Sequence, residues 1–212
     1  MFVKKRPEND RRVPTQERAR RRVARILDAA ALVFAEQGFE AATMEDIAAR
    51  AETSIGSIYQ FFPNKLAIFD DIARRYRDRA RAFFEAILES PLFDRPLGDI
   101  VDAAIEALWA FHDAEPAFRA VWVGLGLTQQ VLAEGEALNR ELAKRIEAVL
   151  AKKLHGLSAK HRPVVATMVV ELLTAMLIVS ARRDAAQSKV IKEETKVVLN
   201  RYLAKYEIRS SR

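Results

Sequence analysis

An all-α protein is predicted by three features of this 212-residue sequence. Glycine and proline are scarce, at seven each, which is too little punctuation for a turn-rich β chain. Half of the residues are apolar, enough to bury a substantial core. Those apolar residues recur at helical spacing along most of the chain.

Composition also narrows the setting. There is no cysteine, which removes disulfides, thiolate chemistry and cysteine-ligated zinc, and a reducing, cytoplasmic compartment is expected. The net charge of +6 is concentrated near one end, where residues 1–25 hold ten Lys or Arg against Glu8, Asp10 and Glu17. Such a cluster suits a polyanionic partner, either nucleic acid or an anionic membrane, and equally a solvated tail. No apolar stretch precedes Val23, so no secretory signal is expected.

Residues 1–14 read as a flexible basic arm. Val23, Ile26, Leu27, Ala30, Ala31 and Phe34 then share one helical face, and Gln37-Gly38 ends a first helix over 16–37. Thr43 precedes "MEDIAARA" with Asp46 three residues later, the pattern of a capping box in which Asp replaces the usual Glu. It predicts a short second helix over 44–51. After a tight turn, Ile58 and Phe62 supply the apolar contacts of a third short helix. Pro63 is expected to open a fourth, where its missing N–H costs nothing.

Two short helices joined by a tight turn and preceded by a longer one make a helix-turn-helix. The second short helix enters the major groove, so its outer face must be slim and carry hydrogen-bonding groups. In "TSIGSIYQFFPNK", Gly56 and Ser57 keep that face slim, while Tyr59 and Gln60 project a hydroxyl and an amide. Ile58 and Phe62 anchor the helix from behind, and Lys65 is within reach of a backbone phosphate.

Over residues 18–70 the sequence resembles the TetR family of bacterial transcriptional regulators. The likeness lies in the threonine-led second helix, the Gly-Ser-Ile-Tyr of residues 56–59 and the Phe-Pro-Asn-Lys of residues 62–65. The resemblance implies phosphate contacts from Thr43, Lys65 and Tyr59. It places Glu45, Ile55, Gly56, Ser57, Gln60 and Phe61 at bases or the groove edge, with Phe61 open between this role and the core. Of Arg18, Arg20, Arg21 and Arg22, one or two are expected at phosphates, Arg18 first among them. Two departures stand out: Glu52 replaces the family's usual Gly and Thr53 its buried Val. A left-handed non-Gly residue costs about 1 kcal/mol, so a differently shaped turn is expected. Ile55 is apolar where many relatives are polar, which favours a thymine methyl.

The remainder reads as a second helical domain, with the head assigned to 15–65 and the rest to 66–212. A long helix over 66–88 is broken by "SPLFDRPLGD". Helices follow at 97–113, 116–127, 129–154, 158–184 and 189–206, giving about nine, the family's plan. The resemblance implies a small-molecule effector bound among the middle helices and a homodimer formed through 158–184 and 189–206, acting on a double-stranded, palindromic operator.

Pro163 to Ala181 is nearly all apolar. At about 1.5 Å per residue it approaches a bilayer core of about 30 Å, but Glu171 interrupts it and burial against a partner subunit accounts for it equally well. No membrane partner is therefore expected. Pocket candidates are Phe83, Phe84, Leu108, Trp109, Phe111, His112, Phe118, Trp122, Met168 and Glu171, with Gln129 as a further polar group; each aromatic also suits plain core packing. His112, His155 and His161 lack metal-ligand spacing, no nucleophile–base pattern is recognisable, and neither a metal, a cofactor nor an enzymatic activity is expected. The expected function is a ligand-responsive DNA-binding repressor. The alternative is a peripheral membrane or scaffold protein using the basic arm and the apolar helix.

Overall fold

The computed structural model describes residues 12–115 and 129–207, with side chains from residue 16 onward. Eight α-helices and no strand occur among the described residues: α1 Arg12–Gln37, α2 Met44–Arg50, α3 Ile55–Tyr59, α4 Lys65–Leu88, α5 Leu97–Asp113, α6 Gln129–Lys153, α7 Arg162–Ala181 and α8 Ala185–Ala204. A 3₁₀ turn at Pro91–Asp94 joins α4 to α5. The helix expected at 116–127 lies outside the described residues, as do residues 1–11 of the arm expected at 1–14, Phe118 and Trp122, whereas residues 12–14 of that arm are the first residues of α1.

The head is built by α1, α2, α3 and the start of α4. Ile26, Ala30, Phe34, Ile47, Ile58, Ile68 and Phe69 are fully buried there, and Phe34, Phe39 and Phe69 meet edge to face or tilted, with centroids 5.3–6.4 Å apart. Arg50 donates a bidentate pair of 2.8 Å hydrogen bonds to Glu36, tying the end of α2 to α1. Arg75 bonds Asp28 at 2.8 Å and ties α1 to α4.

Side-chain caps explain four of the helix starts. Thr43 Oγ1 accepts from Asp46 N–H at 3.1 Å while Asp46 Oδ2 accepts from Thr43 N–H at 3.0 Å, the predicted capping box. Ser54 caps α3 and Asp184 caps α8, so α8 begins at Ala185, ahead of the expected 189. Pro63 does not open α4: Asn64 is the N-cap, accepting from Ala67 N–H at 2.9 Å, and Pro63 lies outside the helix. A side-chain acceptor satisfies a free amide, which proline at the first position merely avoids.

Beyond the head, α4 continues between α5, α6 and α7. Trp109 on α5 donates to Ser180 on α7 at 3.1 Å, and Ser180 and Ser188 are 2.6 Å apart, so a buried polar chain joins α5, α7 and α8. Asn200 on α8 donates to Asp102 on α5 at 2.8 Å. Helix α7 is long and apolar enough to cross a bilayer, but it packs into this bundle through Val165, Ala166, Val169, Val170 and Leu177.

Candidate DNA-binding head and ligand cavity

The turn between α2 and α3 aims the recognition helix. Thr53 N–H bonds Ala48 C=O at 3.0 Å and Glu52 N–H bonds Ala49 C=O at 3.2 Å, the paired bonds of a Schellman ending. That ending requires a left-handed residue, and Glu52 takes it with φ of +49°. The expected reshaping of the turn does not occur. Two backbone hydrogen bonds and the burial of Ala51 and Ile58 hold the turn against the strain of a side chain there.

The outer face of α3 is open. Tyr59 is 52% exposed and Gln60 is exposed beside it. A Cβ placed on Gly56 would meet nothing within 4 Å, so the fold itself does not require glycine here. Ile55, Ser57 and Phe61 are partly covered, and Ile55 and Phe61 pack on the core edge. Phe62 is buried. Glu45 is exposed on the first turn of α2.

Basic residues flank this face. Arg22 Nη1 lies 3.4 Å from Ser57 Oγ, and Arg22 and Arg25 line a shallow polar recess with Ser54, Gly56, Ser57 and Gln60. Arg25 is absent from the sequence-based candidates, although it follows Arg18 and Arg22 at helical spacing on α1. Arg18 is exposed farther along the same helix.

Thr43 and Lys65, expected at phosphates, also make hydrogen bonds inside the head. The Thr43 hydroxyl donates to Asp46 Oδ2 at 2.6 Å, and these bonds hold the Asp46 carboxyl below its ordinary pKa. Lys65 Nζ donates to the carbonyls of Phe39, Glu40 and Ala42 at 2.7, 2.9 and 3.1 Å and lies 4.6 Å from the Phe39 ring centroid. An ammonium has three N–H donors and a hydroxyl one. Through these three bonds Lys65 clamps the loop between α1 and α2.

A largely apolar cavity of about 120 Å³ lies between α4, α5, α6 and α7. Of the sequence-based candidates, Phe83, Phe84, Leu108 and His112 line it. Phe111 stands behind Phe83, stacked at 4.5 Å, and Trp109 faces the Ser180 chain. Met168 and Glu171 point outward. Met168 is 50% exposed and its sulfur accepts from Tyr202 at 3.2 Å, and Glu171 accepts from Asn139 at 3.2 Å on the surface. Gln129 is exposed at the start of α6.

The polar groups of the cavity are chiefly ones that sequence reasoning missed: Tyr76, Arg77, Asn139 and Thr174. His112 Nδ1 lies 2.7 Å from the Leu108 carbonyl, so it carries the ring proton, and Nε2 accepts from Tyr76 Oη at 2.9 Å. Burial pushes the imidazole pKa down to about 4, which keeps the ring neutral at ordinary pH. Tyr76 also borders a second recess shared with α1, lined by Leu27, Asp28, Arg75, Arg79 and Glu115. Glu115, 3% exposed, pairs there with Arg79 at 2.7 Å. No group of residues able to hold a metal is found among the described residues.

Comparison with known proteins accords with this arrangement. Residues 26–72 match the bacterial regulatory proteins of the tetR family, and residues 96–203 match the tetracyclin repressor-like C-terminal domain. The chain is 30% identical over 173 residues to the transcriptional activator FasR of Mycolicibacterium smegmatis, covering 81% of this chain and 74% of that one. It is 38% identical over 90 residues to the transcriptional repressor KstR2 of Rhodococcus jostii, a match spanning 42% of this chain and 44% of that relative. A crystal structure of a TetR-like regulator from Rhodococcus sp. RHA1 superposes with a TM-score of 0.65 at 19% identity, over 86% of this chain and 96% of that one. These relatives are regulators, which are not an enzyme class, and they lend no support to a membrane or scaffold role. With a helix-turn-helix head and a helical domain that each match, the chain belongs to the TetR family of transcriptional regulators.

Proposed function

We propose that the protein is a homodimeric, cytoplasmic repressor that binds a palindromic operator through α3 and releases it when a small molecule enters the cavity. The observation that carries this reading is the outer face of α3: an open glycine, exposed Tyr59 and Gln60, and Arg22 and Arg25 beside them. Gly56, Ser57, Gln60 and Ile55 read the groove, Glu45 meets its edge, and Tyr59 and the α1 arginines meet phosphates. The pairing surface is the apolar face of α7 and α8 left uncovered in a single chain, with Val164, Met168, Val179, Val190, Val197 and Val198 exposed. Repression is favoured by the relative named as a repressor, KstR2.

The reading is tested by selecting bound sequences from a random duplex library with the purified protein at physiological salt. An inverted repeat whose half-sites lie one helical turn apart, or a multiple of it, is the expected result. Recovery of no sequence motif sinks the proposal. A reporter driven from a promoter carrying that repeat then decides the sign: expression should rise when the gene is deleted.

A further inference from the structure

We infer that the cavity takes an amphipathic molecule, an apolar chain or ring bearing one oxygen-acceptor head, and that Arg77 selects the head. The cavity is walled by aromatic and aliphatic side chains, among them Phe83, Phe93 and Ile146, which provide for the apolar body. Against them stands one cation. Arg77 lines the cavity with its side chain only 16% exposed; Nη2 is paired with Glu134, while Nη1 is sealed from solvent and has no hydrogen-bond partner among the described residues. Glu134 does not line the cavity, so of the two charges only the positive one borders the ligand space.

A buried charged donor without an acceptor is an unmet demand, and a carboxylate or carbonyl oxygen beside Arg77 satisfies it. An ammonium head is disfavoured by the same charge. The preference follows from the guanidinium and not from cavity shape, so ligands of equal length that differ only in the head separate the two.

The test is calorimetric titration of the purified full-length protein with decanoate, decanol and decylamine. Decanoate should bind about tenfold tighter than decanol, the effect of one charge-assisted hydrogen bond, and decylamine weakest. Arg77→Met should remove the difference between decanoate and decanol while leaving decanol binding in place, which also certifies that the variant is folded. Glu134→Gln, which removes the competing carboxylate, should tighten decanoate severalfold. Equal binding of all three, tightest binding of the amine, no binding of any, or an undiminished preference in Arg77→Met would each overturn the inference. That such a molecule acts as the effector rests on the repressor reading, so release of the selected operator is measured separately. Decanoate binding without release leaves the Arg77 site standing and removes only its regulatory role.

Discussion

At Gly56 stability and function part company. Open space surrounds the missing side chain, and alanine is favoured over glycine inside a helix by about 1 kcal/mol. Gly56→Ala should therefore keep or raise the thermal midpoint and yet weaken operator binding at least tenfold, because the added methyl stands between α3 and the base edges; denaturation curves beside binding isotherms check both halves. His112 offers the opposite kind of test. Its folded pKa of about 4 lies below the ordinary 6.5, so the unfolded chain binds more protons between those values. The resulting stabilisation is fully present above pH 6.5 and lost as pH falls toward 4, with an upper bound of about 3 kcal/mol. Wild type and His112→Gln should differ most near neutrality and converge toward pH 4 in thermal denaturation; a constant difference would contradict the assignment.

Helix by helix, what could be read from the sequence depended on whether one face differs from the other. In α4 it does, and the inward Phe83 and Phe84 were legible together with Leu108 and His112 on α5. In α7 it does not. Apolar residues surround that helix, so nothing local told Met168 and Glu171, which face out, from Val170 and Leu177, which face in. Arg77 was illegible for another reason: its partner Glu134 lies on α6, and a charge on a buried stripe reads as solvated until that partner is known. The clamp made by Lys65 was likewise illegible, because the three carbonyls it bonds are backbone atoms, which no side-chain pattern reports. At Glu52 the reverse occurred: the left-handed requirement was legible, and the turn kept it despite the residue. Glu52→Gly should therefore stabilise the head by about 1 kcal/mol and raise the thermal midpoint by a few degrees, with operator affinity unchanged. A fall in the midpoint would mean that the Glu52 side chain stabilises the turn in a way its backbone geometry does not reveal.

For the whole molecule, the proposed pairing through the apolar face of α7 and α8 would set the distance between two heads. Val198→Lys or Met168→Lys puts a charge on the pairing surface and should convert the dimer to a monomer in light-scattering chromatography. Operator affinity should fall with it, since one half-site contact alone remains; a dimer that persists in both variants would place the interface elsewhere. Between that surface and the head stands Tyr76, whose ring bounds the ligand cavity on one side and the α1 recess on the other. For anyone re-engineering the protein as a biosensor, that shared wall divides the cavity into two kinds of position. On the proposed reading, exchanging Phe93 or Ile146, which line the cavity and not the α1 recess, should retune which compound is sensed while operator binding by the free protein stays intact. A change at Tyr76, which lines both, should alter ligand sensing and operator binding together.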